Sequence, residues 1–241
     1  MPRADGELRT FKLRRGRITP GQRHALDTLW RRYGVDLGTG RFDPATVYGR
    51  RAPLVVEIGF GMGEATVAMA AADPDRDVLA VDVHTPGAGA LLRDVAAAGL
   101  VNVRVVLGDG RDVLRLLTPG TLDELRVFFP DPWPKTRHHK RRLVEPGFVR
   151  LAASRLRVGG RLHCATDHRP YAERMLSLLA AEPSLANDGG GGVVDGDGYA
   201  ERPAWRPVTR FERRALDGGH EVFDVIATRA PGHGASAGDR G

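Results

Sequence analysis

The chain contains a single cysteine, Cys164, in 241 residues. One thiol excludes a disulfide framework, and its position inside an apolar run assigns it to packing rather than nucleophilic catalysis. A reducing compartment is therefore expected. No positive-then-apolar leader opens the sequence, and its longest apolar stretch, residues 54–72, is interrupted by Glu57 and Glu64. That pattern predicts a soluble, cytoplasmic protein with no membrane partner. Internal repeats are absent. Lysine is also scarce, three against thirty-three arginines, yet two of the three, Lys135 and Lys140, fall in one short basic run. His138-His139 has no nearby Cys, Asp or Glu, which argues against a metal site and for plain exposure or contact with a partner.

What is present is an alternation of short apolar runs and helical stretches, long enough for one good-sized core. Strands are predicted near residues 54–58, 78–83, 103–107, 125–129 and 161–166, with helices near 64–72, 87–98, 111–117, 146–156 and 170–182. Residues 208–213 and 221–228 are expected to form a late strand pair around Asp217-Gly218-Gly219. The reading is an α/β, Rossmann-like, mostly parallel, doubly wound sheet. One domain spans 51–228, preceded by a basic extension, 1–50, on or near the substrate site, and followed by a small-residue tail, 229–241, expected to be disordered. The acidic, Gly-rich stretch 187–198 (NDGGGGVVDGDG) reads as a flexible insertion.

Leu54 to Ile58 (LVVEI) runs into Gly59-Phe60-Gly61-Met62-Gly63-Glu64. Three alternating glycines after a strand permit a sharp turn and close approach of backbone to ligand. A dinucleotide fingerprint would want a small residue where Glu64 stands. Glu57 and Glu64 would repel a pyrophosphate and favour a ligand carrying an ammonium and a sulfonium, the charge pattern of S-adenosylmethionine. Asp82 ends the next run (VLAVDV), about twenty residues on, where an acid bonds ribose hydroxyls. Asp109 follows the third run (VRVVL) and is placed to accept from an adenine amino group; for both acids a helix-capping or turn role is the competing structural reading.

Residues 127–135 read VFFPDPWPK. Proline fixes its own φ and restricts the residue before it, so Pro130-Asp131-Pro132 is a stiff corner at a strand's carboxyl end, where open α/β sheets bind ligands. Four residues later begins KTRHHKRR (135–142), with five Lys or Arg and no acid. With the net charge of +6 and an isoelectric point near 10.1, and seven basic residues between Arg3 and Arg23, this points to a polyanion delivered to the Asp131 carboxylate.

EIGFGMGE, VDVHTPGAGALL, FFPDPWPKTRHHKRR, ATD (165–167) and RPVTRFERR (206–214) resemble, in order and spacing, the motifs of the bacterial tRNA (guanine-N7)-methyltransferases. RGRITPGQ (15–22) is similar to that family's N-terminal R-x-T-x-x-Q element. The resemblance covers residues 10–228 and implies a class I, seven-stranded methyltransferase fold, S-adenosylmethionine as cofactor, tRNA as partner, and N7 methylation of the variable-loop guanine at position 46. It implies that Glu57, Gly59, Gly61, Gly63, Asp82, Asp109 and Asp131 bind cofactor, with Asp131 catalytic. Lys135, Asp167, Thr209, Arg210, Phe211 and Glu212 would bind substrate, and Arg137, His138, His139, Lys140, Arg141 and Arg142 would contact RNA. Asp82 stands where the family usually has Glu, and Arg210 where it has Lys. A monomer and a homodimer both accommodate this reading.

Two other classes remain open at this level. An exocyclic-amine methyltransferase would carry a D-P-P-aromatic arrangement, half matched by Asp131-Pro132-Trp133. A non-catalytic RNA-binding protein would keep the basic segments without needing the strand-terminal acids.

Overall fold

The computed structural model describes Thr10 and residues 17–186 and 198–231. Most of the Gly-rich stretch, most of the tail and the basic residues between Arg3 and Arg15 lie outside the described residues. The first strand, β1 (Leu54–Ile58), is buried at every position, as expected of a strand covered on both faces. It pairs in parallel with β2 (Asp77–Asp82) and β4 (Leu122–Phe128); β2 pairs with β3 (Val103–Leu107), and β4 with the long β5 (Leu156–Thr166). The last strand, β7 (Phe223–Arg229), runs antiparallel to β5 and to the two-residue β6 (Leu185–Ala186). The order is β3-β2-β1-β4-β5-β7-β6: seven strands, one reversed.

Helices cover both faces. On one lie α1 (Pro20–Tyr33), α3 (Glu64–Ala72) and α4 (Thr85–Ala97), packed through Ala25, Ala70, Leu91 and Val95 against Val55, Val78 and Val103. On the other lie α5 (Gly110–Leu116), α6 (Pro146–Arg155) and α7 (Arg169–Ala180), whose Leu114, Phe148 and Tyr171 pack against Leu54, Val56 and Leu125. Cys164 is wholly buried in β5, and burial pushes its thiol pKa up to about 12. It is packing, with no nucleophilic character. Among the described residues, no helix is long and apolar enough to cross a membrane.

The N-terminal region contributes α1 and the short α2 (Pro44–Tyr48). Thr19 and Gln22 of the R-x-T-x-x-Q element form a reciprocal capping box: Thr19 N–H donates to Gln22 Oε1 at 2.9 Å and Gln22 N–H to Thr19 Oγ1 at 3.3 Å. The helix then packs on α4 at Gly89, where a Cβ would come within 2.4 Å of the Gln22 carbonyl oxygen.

One expectation is corrected. Only the second half of the late strand pair exists; residues 210–217 form α8 (Arg210–Asp217) instead. Thr209 accepts from the Glu212 backbone N–H at 3.0 Å, so T-x-x-E is a helix start rather than part of a strand. The strand partner of β7 at the sheet edge is β6.

Candidate active site

The strand order reverses between β1 and β4: the chain winds outward through β2 and β3, then returns to lay β4 on the far side of β1. The crevice at such a switch point takes ligands. Here it receives the glycine loop that follows β1 and the proline corner that follows β4. A cavity of about 350 Å³ opens there, lined by Glu57, the loop 59–64, Asp82, His84, Asp109, Phe128, Phe129, Asp131, Thr209 and Phe211.

Gly59, Gly61 and Gly63 have φ of 86°, 61° and 86°, a left-handed conformation open to glycine at little cost. Asp82 fastens the loop: Oδ2 accepts from Gly61 N–H at 2.9 Å and Oδ1 from His84 N–H at 3.0 Å. The same carboxylate thus joins the glycine loop to the start of α4 while facing the cavity, and its remaining lone pairs can still accept from a ribose. Asp109 caps α5, accepting from Arg111 N–H at 2.9 Å. The capping reading and the cavity-lining reading both describe it.

Glu57 is 3% exposed, and its Oε2 is buried with no hydrogen-bond partner among the described residues. Burial raises its pKa, opposed by Arg126, the residue beside it in register on β4. An unpartnered acid oxygen at a cavity wall fits a cationic ligand. The lining therefore suits S-adenosylmethionine: Glu57 would face positive charge, the left-handed glycines would allow close backbone approach, and Asp82 and Asp109 would offer acceptors to ribose and adenine.

The proline corner is held by more than proline. Phe129 and Trp133, on either side of Asp131, have φ of 51° and 43°, a conformation costing a non-glycine residue of order 1–3 kcal/mol. Such residues persist only where neighbours fix them. Phe129 N–H donates to the Ala165 carbonyl at 2.8 Å, and Trp133 Nε1–H to the Thr10 carbonyl at 3.3 Å. Asp131 is half-buried between them.

The expected substrate residues divide. Thr209 and Phe211 line the cavity, and Phe211 is half exposed with its ring 6.3 Å from that of Phe129. Lys135 is exposed on the far side of the corner, and Asp167 is half-buried after β5; neither lines the cavity. Of Arg210 only the backbone is described, opening α8. Glu212 faces inward: it is 1% exposed and takes two hydrogen bonds from Arg206, at 2.7 and 2.9 Å. Arg206 also donates to Asp224 at 2.9 Å, whose other oxygen lies 2.6 Å from His163 Nε2. In the ligand-free protein Glu212 is thus engaged in an internal ion pair at the start of α8. Sequence reasoning missed this network; the separation of six between Arg206 and Glu212 carries no helical signal, because the two belong to different local structures.

The expected RNA residues lie on a 3-10 turn, Thr136–Arg141. Arg137 and Lys140 are exposed; His138, His139 and Arg141 are half-buried, with His138 edge-on to Trp133 at 5.8 Å and Arg141 over it at 5.1 Å. Arg142 is the exception: it is 5% exposed, donating from Nε to the Pro132 carbonyl at 2.8 Å. Its guanidinium is bonded inside the fold, whereas the guanidinium of the exposed Arg137 and the Lys140 ammonium are presented on the surface of the turn.

Comparison with known proteins agrees with this geometry. The family described as "Putative methyltransferase" matches residues 51–225. A tRNA (guanine-N(7)-)-methyltransferase of Streptomyces avermitilis is 53% identical over 92% of this chain and 75% of its own length. One from Saccharophagus degradans is 46% identical over 92% of this chain and 96% of its own. Among solved structures, the 16S rRNA methyltransferase KamB superposes with a TM-score of 0.53 at 18% identity, covering 83% of this chain and all of that one. At that identity the likeness speaks for the fold alone: a class I methyltransferase fold. The chain belongs to the tRNA (guanine-N(7)-)-methyltransferase family.

Proposed function

We propose that this enzyme methylates N7 of the variable-loop guanine at position 46 of tRNA, and that Asp131 is the group that receives that base. The observation that carries the reading is the placement of Asp131 across one cavity from the glycine loop, with the exposed Arg137 and Lys140 on the turn just beyond it. S-adenosylmethionine supplies a methyl group bonded to a cationic sulfur, open to attack by a lone pair.

Guanine N7 already carries an in-plane lone pair, so no base is required. As the new N–C bond forms and the S–C bond breaks, positive charge moves onto the purine ring, and alignment and electrostatics carry the step. Asp131 accepts hydrogen bonds from the N1–H and N2–H₂ edge and offsets that charge. Adenine would present its N1 acceptor to the carboxylate and be rejected. Phe211 offers a ring face beside this position, Glu57 and the glycine loop hold the donor, and Arg137 and Lys140 meet phosphates.

The test is nucleoside mass spectrometry of tRNA incubated with purified protein and S-adenosylmethionine. The expected product is 7-methylguanosine, absent from a transcript in which guanine 46 is replaced by adenine. Methylation of the altered transcript would move the target elsewhere. A product methylated on an exocyclic amine would favour the alternative suggested by the half-matched D-P-P-aromatic pattern, and no product would favour a binding protein.

A further inference from the structure

Arg142 closes a ring in the chain. Asp131 and Pro132 form one end, the exposed turn Thr136–Arg141 the middle, and the Arg142 guanidinium returns to the Pro132 carbonyl at 2.8 Å. Its carbon lies 4.6 Å from the centroid of the Tyr171 ring, which is wholly buried in α7 and whose hydroxyl accepts from Val144 N–H at 3.0 Å. The arginine is thus seated on the core and tied to the peptide next to Asp131. Burying a guanidinium is costly, and Nη2 has no hydrogen-bond partner among the described residues. Packing alone would be served as well by an apolar side chain. Arginine is the residue that can stack its plane on a ring while donating from Nε.

We propose that Arg142 is a positioning residue that couples docking of RNA phosphates on the Thr136–Arg141 turn to the placement of the Asp131 carboxylate. The strut acts on a corner already held between two left-handed residues, Phe129 and Trp133, so a small displacement of the turn is transmitted to Asp131 rather than absorbed by an extended loop. The inference rests on the reading of Asp131 as the guanine acceptor.

The experiment uses the full-length protein with Arg142→Lys, Asp131→Asn and the double variant. Measured are tRNA affinity across salt concentrations, cofactor affinity, and single-turnover methyl transfer with both substrates saturating. Arg142→Lys is expected to keep the parental salt slope and cofactor affinity while the transfer rate falls about tenfold to a hundredfold, the size of effect a misplaced reacting group produces. Because Arg142 acts through Asp131, the double variant should be no slower than Asp131→Asn alone. A slope shallower by about 0.7 to 0.9 would make Arg142 a phosphate contact and overturn the proposal. So would a parental rate, or losses that multiply in the double variant. A parental rate for Asp131→Asn would instead remove the reading on which the coupling stands. Should Arg142→Lys not fold, Tyr171→Leu, which takes away the ring beneath the guanidinium, is subject to the same readouts and the same outcomes.

Discussion

The carbonyl oxygen of Gly61 lies 1.9 Å from where a Cβ on Gly87 would stand. The glycine loop and the first turn of α4 are therefore in backbone contact, with Asp82 bridging the loop and the residue before α4 through its carboxylate. The nearest atoms that Gly87→Ala would meet are backbone of the loop, the Gly61 carbonyl oxygen at 1.9 Å and its carbon at 3.0 Å, with the His84 Nδ1 also at 3.0 Å. The substitution should weaken S-adenosylmethionine binding by about tenfold to a hundredfold, in line with an overpacking cost of roughly 1–3 kcal/mol. Titration calorimetry with the folded variant checks this, and parental affinity would mean that the loop shifts without loss.

Asp131→Asn keeps the size of the side chain but removes the charge that, on the proposed role, would offset a ring becoming cationic, and it would turn donors toward the guanine donors. A single such electrostatic contact contributes about 2.7 to 4 kcal/mol, so turnover should fall on the order of a hundredfold to a thousandfold. The fold should persist, since the corner is held by Phe129, Trp133 and their backbone partners. Single-turnover kinetics with saturating tRNA reads the effect; a rate near the parent's would reduce Asp131 to a structural corner.

Arg137 and Lys140 are exposed on the 3-10 turn and Arg141 is half-buried over Trp133, while Arg142 is buried, so at most three rather than four phosphate contacts are expected. Replacing all three with Gln should flatten the log–log salt dependence of tRNA affinity by about 0.7 to 0.9 per lost contact. Cofactor affinity should not change. An unaltered slope would identify the turn as a solvated face.

Burial raises the Glu57 pKa in the ligand-free protein, and a cationic ligand beside it favours the ionised form. Binding of S-adenosylmethionine should therefore release protons and weaken as pH falls through the raised pKa, with constant affinity above it. For the ligand-free protein the sign is opposite: between the unfolded and the raised folded value the native state binds more protons, so its stability decreases as pH rises. Calorimetry in buffers of different ionisation enthalpy detects the proton release, and Glu57→Gln should abolish it. Equal proton release in that variant would assign the titration to another group.

The Arg206–Glu212 pair sets the entry to α8. Glu212→Ala would leave a buried guanidinium short of a partner, a loss of about 3–5 kcal/mol of the kind seen when one half of a buried ion pair is removed. A lowered midpoint of thermal unfolding, together with weaker tRNA methylation, is expected; an unchanged midpoint would show that the network is not structural.

Much of the protein follows from local pattern. The five central strands are largely apolar, broken by single or few charged residues such as Glu57, Arg104 and Arg126, because both faces of a parallel sheet are covered, and such runs are readable residue by residue. The glycine loop is readable for the same reason: φ near 86° at Gly59 and Gly63 is a requirement on one residue, and glycine meets it alone. The stiffness at Pro130-Asp131-Pro132 is likewise local. The start of α8 is also written in the chain, as Thr209-x-x-Glu212, but the Asp217-Gly218-Gly219 turn before 221–228 reads as the loop of a hairpin and casts 208–213 as its first strand.

What only the tertiary structure decided is which charged groups face water. Arg137 and Arg142 are five residues apart in one basic run, and nothing in the run distinguishes them. One is exposed, the other is seated on Tyr171, twenty-nine positions away, and bonded to Pro132. Glu212 and Arg206 acquire their pairing only when β7 brings Asp224 beside β5. Composition fixes how much charge a chain carries, and short-range geometry fixes helices and turns; the direction of a long side chain is set by partners that become neighbours only when the strands assemble.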